Sequence, residues 1–378
     1  MGEATDNNKE SSKSSNLADN SKTTSNVHPV VVNNKSNKKL IFSVVLLFIL
    51  VIAAGLYSYH LQYQVKPKVI YVSVKKPITK TVTSPPAITS NPNQIGDLKL
   101  DTTKDYGNKY ANNILPVGDG KYSTTGAEQG NVYACSTYAQ NLAAGGGGAQ
   151  SRGPWFMDNN TEYNNAAKLH VEGNVMWQAS FTMNEANSLR TIITNDLPTH
   201  PTGTFPIASS DPAYLYDRNP NSIEAQSLTY ALNQSPTFGT PQCMGGEAGI
   251  MLTGVALFNA FDAGGRDAGA WEVQDNCEGH PQMDGLYHYH TLSSCIKNIS
   301  VNNVIGYALD GFPITGPEIS PNNILTTSDL DVCHGITSQI TLDGKQVVTY
   351  HYVMTQDFPY SVSCFRGTPI QPPDLKKS

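Results

Sequence analysis

Three histidines fall within eleven residues of one segment, which runs from Cys277-Glu278-Gly279-His280 to Tyr287-His288-Tyr289-His290. Neutral imidazole is a nitrogen donor for transition metals, and three on one short stretch can hold an ion while leaving a coordination position open. Two of them alternate with tyrosines. On an extended strand neighbouring side chains take opposite faces, so His288 and His290 point together with Cβ atoms roughly 6–7 Å apart, and Tyr287 and Tyr289 point the other way. His280 is separated from that strand by Pro281 and the turn formers Asp284-Gly285, which can fold it back over the pair. The ion would be copper, zinc or iron. Glu278, Asp284 and Asp310 are candidate carboxylates behind the ligands, able to orient them or carry protons. The same alternation also suits a half-buried strand whose histidines are merely hydrogen-bonded, or a histidine serving as acid or base without metal.

A second copy lies downstream. Asp275-Asn276-Cys277, Tyr287-His288-Tyr289-His290 and Cys295 recur as Asp331-Val332-Cys333, Tyr350-His351-Tyr352-Val353 and Cys364. Ile336 stands where His280 does and Val353 where His290 does, so only His351 keeps its place. The reading is two half-domains, about 254–295 and 306–364, with the chemistry in the first.

Several stretches resemble the YHYH-domain family of largely bacterial, exported proteins: Asn195 to Pro206, Gly254 to Leu257, Gly285 to His290, Gly306 to Pro317 and Phe358 to Gly367. Together they span about 195–367. The resemblance implies an exported domain with a histidine site and no assigned reaction. It also brings His200 forward, in the turn-rich Pro198-Thr199-His200-Pro201 loop, as a fourth ligand candidate.

The elements that must position these residues are mostly β. Short apolar runs at 175–181, 189–194, 227–232, 250–258, 304–309 and 346–353 alternate with Gly, Pro and Asn clusters, which predicts a sandwich- or barrel-like domain over 101–372 with an internal repeat. One short helix is expected between Ala260 and Val273. The glycine run at 145–148 reads as a flexible loop, since no Lys-Ser or Lys-Thr pair closes it.

Ahead of that domain, residues 1–39 are too polar to bury a core and read as a disordered tail. Residues 40–59 are apolar enough to span a bilayer, and 60–100 read as an extended stalk. A cleavable signal peptide is the rival reading, and the long polar leader argues against it. All six cysteines lie after the apolar stretch, an even number suited to disulfides in an oxidising compartment. The expectation is therefore a single-pass membrane protein, its N-terminal helix in the membrane and its C-terminal domain outside, facing a cell-envelope or surface partner. Of the pairings six cysteines allow, the repeat selects Cys277 with Cys295 and Cys333 with Cys364, which leaves Cys135 with Cys243.

Charged residues make up 15% of the chain and the net charge is −6, so nucleic acid is not an expected partner. No Gly-x-Ser-x-Gly, His-Glu-x-x-His or paired Cys-x-x-Cys pattern is present, and no reaction is named. Two functions of different class remain. One is transition-metal binding through His280, His288 and His290 with His200. The other is a surface module in which Tyr287, Tyr289 and polar loops meet a glycan, peptide or protein without metal.

Overall fold

Turn chemistry sets the hairpins. Asp343 and Gly344 both take left-handed backbone, φ 51° and 74°, which a two-residue hairpin loop requires. The flanking strands pair in register from Leu342↔Lys345 to Gly335↔Tyr352. Asn187 and Ser188, φ 53° and 64°, serve another hairpin in the same way.

The computed structural model describes residues 88–138, 149 and 151–375, all within one unit, Val82–Ser378. In chain order its strands begin with β1 (Thr89–Ser90), β2 (Ile114–Pro116), β3 (Tyr122–Ser123), β4 (Val132–Tyr133) and β5 (Glu162–Asn164). Next come β6 (Phe181–Ala186), β7 (Leu189–Thr194), β8 (Leu228–Asn233), β9 (Glu247–Met251) and β10 (Ala256–Phe258). The helix α1 (Ala268–Trp271) precedes β11 (Gly279–Pro281), β12 (Tyr287–Tyr289), β13 (Val304–Ala308) and β14 (Pro313–Thr315). Last are β15 (Glu318–Ser320), β16 (Asn323–Ile324), β17 (Gly335–Leu342) and β18 (Lys345–Val353).

The main sheet runs β11-β12-β10-β9-β13-β14-β18, with β17 on the far side of β18 and β1 beside the first half of β18. Its centre is the antiparallel pair β9–β13, where Ile250 faces Tyr307. Outward from that pair both sides repeat one pattern: a hairpin (β9–β10, β13–β14), a parallel neighbour (β12, β18), then an antiparallel partner (β11, β17). The register repeats as well. Gly249↔Leu257, Leu257↔Tyr289 and Gly279↔Tyr289 on one side match Gly306↔Ile314, Ile314↔Tyr352 and Gly335↔Tyr352 on the other. This approximate two-fold makes His351 the counterpart of His288, and Ile336 that of His280.

Each half carries the same polar lock. The Asp275 carboxylate accepts the backbone N–H groups of Cys277 (2.9 Å) and Gly279 (3.3 Å) and the Tyr287 hydroxyl (2.9 Å). Asp331 does the same for Cys333 (2.9 Å), Gly335 (2.9 Å) and Tyr350 (3.1 Å). The tyrosine ring lies across the glycine, and a Cβ at Gly279 would come within 2.2 Å of the Tyr287 ring, one at Gly335 within 2.1 Å of the Tyr350 hydroxyl.

The sheet β6-β7-β8 supplies a second layer. Ile192, Leu228, Tyr230 and Leu232 on its buried face share one core with Ile250, Met251, Tyr287, Tyr289, Tyr350 and Tyr352, as expected for two sheets packed face to face. Arg190, 1% exposed, stacks 4.1 Å over the Tyr307 ring and pairs with Glu185 (2.5 Å) and Asp343 (2.7 Å). Three disulfides join Cys135–Cys243, Cys277–Cys295 and Cys333–Cys364, and the last two close each half around its hairpin.

The mostly-β reading holds, but among the described residues the sheets are open and no closed barrel forms. The Ala260–Val273 helix shrinks to α1, because Gly265 at φ 79° breaks the backbone upstream and Asp267 caps only the short helix beginning at Ala268. Of the 175–181 run only Phe181 is in a strand. Residues 88–100, read as the end of a stalk, are docked: β1 pairs with β18, the Thr337 hydroxyl accepts from Gly96 N (2.9 Å) and Thr337 O from Leu100 N (2.9 Å). The single-pass membrane expectation is corrected. Among the described residues no helix is long and apolar enough to cross a membrane; α1 has four residues, against about 20 for a span. The tail at 1–39, the stretch at 40–59, the first part of the stalk and the glycine run at 145–148 lie outside the described residues.

Candidate metal centre

The hairpin β11–β12 places His280 directly opposite His288, and cross-strand partners share a face. His290 comes two residues after His288 on that face. Between the strands, left-handed backbone at Asp284 (φ 72°) and Gly285 (φ 85°) turns the chain back. Asp196 fixes the start of β12 from behind, accepting Ala256 N (3.1 Å) and Tyr287 N (2.8 Å). The result brings the ligating atoms of His280, His288 and His290 within 4.8 Å of one another. All three rings are buried, at 5%, 3% and 3% exposure.

The hydrogen bonds of the rings decide which nitrogen is free. His290 Nδ1 lies 2.5 Å from the Asn259 carbonyl and His288 Nδ1 3.4 Å from the Leu286 carbonyl. A carbonyl only accepts, so His290 Nδ1 carries the proton and its Nε2 presents a lone pair, whereas the longer His288 contact does not set that ring's tautomer. The Nε2 atoms of the two rings stand 3.1 Å apart. The lone pair on His290 Nε2 is met there either by a proton on His288 Nε2 or by a cation lying between the two rings. His280 Nε2 has no hydrogen-bond partner; its Nδ1 sits 3.5 Å from Asn219 Nδ2, too far to set the tautomer.

A carboxylate, which the sequence did not disclose, lies beside two of the three rings. Glu272 Oε2 lies 3.4 Å from His280 Nε2 and 3.4 Å from His290 Nε2 and is likewise without a hydrogen-bond partner. Donors bonded at about 2.0–2.1 Å around a tetrahedral ion lie about 3.3 Å from each other, close to the 3.1 Å between His288 and His290 and the 3.4 Å from Glu272 to His280 and His290. Glu272 sits at the C-terminal end of α1, in no pattern that linear spacing could reveal. Phe258 covers the opposite side, its ring centroid 4.2 Å from that of His288.

Burial sets the charges. Desolvation holds the pKa of His280 and His288 well below the usual imidazole value, with their mutual proximity adding to it, and pushes His290 down to about 4 against the Asn259 hydrogen bond. Desolvation likewise holds the Glu272 carboxyl well above the usual range, assisted by Asp262 and Asp217. Without a cation burial thus favours neutral imidazoles and disfavours an ionised Glu272, and a divalent ion would make the ionised carboxylate favourable there.

The other candidates lie elsewhere. His200 is on the tyrosine face, with Nδ1 2.9 Å from Pro201 O and Nε2 bonded to the Tyr289 hydroxyl. Its cysteine neighbours Cys277 and Cys295 form a disulfide and have no thiolate to offer. Glu278 accepts Ser294 N (2.7 Å), Asp284 is exposed on the turn, and Asp310 belongs to the other half, where it accepts the Tyr352 hydroxyl (2.6 Å) and Gly367 N (2.8 Å). None of these three touches the histidines, because β12 and its turn direct them away. Tyr287 and Tyr289 are fully buried and present no surface. At the counterpart position His351 is closed off, with Nδ1 2.9 Å from Thr315 Oγ1 and Nε2 2.8 Å from Ser338 Oγ.

No curated protein and no solved structure matches the chain. Residues 229–323 match the family model described as YHYH protein, a stretch that runs from β8 through the histidine hairpin to β16 and stops before β17. The segment that builds the three-histidine group is thus a YHYH domain.

Proposed function

We propose that this domain holds one divalent transition-metal ion through the Nε2 atoms of His280, His288 and His290, with Glu272 Oε2 as the fourth donor. The observation that carries the reading is the 3.1 Å approach of His288 Nε2 to His290 Nε2 while both Nδ1 atoms are turned to carbonyl oxygens. Three imidazoles and one carboxylate favour zinc or iron, and copper in its divalent state, over the softer monovalent copper, which prefers sulfur. Backbone carbonyls behind His288 and His290 orient the rings and raise their basicity, the usual role of partners behind metal-bound histidines. No reaction is assigned. The alternative of a metal-free surface module loses its main support, since the tyrosines it relied on are in the core.

The test is elemental analysis of the purified chain after loading with zinc, iron or copper and removal of excess, alongside His288→Ala, His290→Ala and Glu272→Gln. One ion per wild-type chain, lost in both histidine variants, is expected. A wild type that retains none of the three metals, or a His288→Ala variant that retains as much as wild type, overturns the reading.

A further inference from the structure

A cavity of about 270 Å³ lies apart from the histidine group. Two side chains of opposite charge line it, Lys168 and Glu278. Lys168 is only 6% exposed, and its ammonium donates to two neutral acceptors, Gly269 O (2.5 Å) and Gln274 Oε1 (2.5 Å). An ammonium has three donors, so one remains for the cavity. Glu278 accepts from Ser294 N through Oε2, which leaves acceptor capacity on its other oxygen. The two charges are close enough to act on each other electrostatically, yet among the described residues they form no ion pair within 4.0 Å.

Buried charges are ordinarily paired, because desolvating an isolated one is costly. Here the buried Lys168 and the part-exposed Glu278 face one space without meeting, while Asp267 and Glu272 also act on the Lys168 charge. Leu115, Leu292, Ile296 and Ile299 supply the apolar part of the same wall. The space is at the small end of ligand sites, which run from about 300 Å³ upward.

We infer that this cavity binds a small apolar zwitterion, a free amino acid or dipeptide, with its carboxylate on Lys168, its ammonium on Glu278 and its side chain against Leu115, Ile296 and Ile299. The ligand would complete both ion pairs at once. A simple carboxylate or a simple amine would leave one of the two charges unmatched. Neither residue belongs to the proposed donor set, although the Lys168 charge acts on Glu272, His280 and His290.

Isothermal titration of the full chain with L-leucine and with L-leucyl-L-leucine, in excess chelator, tests it. Saturable binding of one or both is expected, with 4-methylpentanoate (no ammonium) and 3-methylbutylamine (no carboxylate) weaker by roughly thirty-fold or more, as for truncating one partner of a buried charge pair. Lys168→Met and Glu278→Gln should each weaken the zwitterion similarly. Glu278→Gln keeps the acceptor for Ser294 N and carries the test if Lys168→Met does not fold. Absence of saturable binding, its loss in chelator, or an unchanged affinity in Glu278→Gln overturns the proposal.

Discussion

His351, the counterpart of His288, offers a sharp test of how burial sets charge. His351 is 0% exposed, and desolvation pushes its pKa down to about 4, with both ring nitrogens engaged by hydroxyls. An unfolded histidine titrates near 6.5. Between those values the unfolded chain binds a proton at this position and the folded chain does not, so stability falls as pH drops through 6.5 and stops falling below about 4. At about 1.4 kcal/mol for each tenfold difference in proton affinity, the full loss is on the order of 3 kcal/mol. His351→Gln removes the proton and keeps a polar side chain, so it should cost about 1–3 kcal/mol at pH 7.5 through weakened hydrogen bonds. By pH 4.5 the wild type has lost nearly that amount through His351 and the variant has not, so the gap should close or reverse. Asp217 and Asp267, each pushed up to about 6 by burial, act in the opposite direction, but they are common to both proteins and cancel in the difference. Urea denaturation of the two chains at pH 7.5 and 4.5 measures it. A gap that stays constant to within about 0.5 kcal/mol, well under the ~3 kcal/mol expected, refutes the assignment of a buried neutral imidazole.

Free metal at about a hundredfold over its dissociation constant should stabilise the fold by about 2.7 kcal/mol and raise Tm by roughly 4 °C in a unit of this size. Differential scanning calorimetry should find that shift in the wild type and in His351→Gln, and not in His288→Ala; a shift retained in His288→Ala counts against the site. Gly279→Ala and Gly335→Ala should each cost about 1–3 kcal/mol or more from overpacking, because the tyrosine each Cβ would strike is tied to an aspartate; denaturation curves matching wild type would show that the rings can yield. Removing Cys135–Cys243, which spans 108 residues, should cost about 5 kcal/mol against about 3 kcal/mol for Cys277–Cys295 across 18 residues, on loop-closure entropy alone. Paired Cys→Ala variants compared by denaturation would reject that ordering if the shorter loop costs more.

The alternation of Tyr287 to His290 has period two, the period of a strand, so the sequence alone determined that two imidazoles share a face and that the tyrosines oppose them. Recurrence of Asp-x-Cys, Tyr-His-Tyr and a closing Cys likewise made the disulfide pairs legible, since each copy brackets its own hairpin. Turn residues such as Asp343-Gly344 state their backbone conformation locally. Tertiary structure decided the rest. Glu272 reaches the histidines only because α1 and the loop after it pack beside β11, and no spacing encodes a contact between a helix end and a strand pair. His200 was drawn to the wrong face because a loop carries no periodicity to say which side of the sheet it crosses. Glu278, two residues from His280, was sent by its own left-handed backbone (φ 58°) toward Lys168, and the cavity between those two charges exists only where distant parts of the chain are packed against each other.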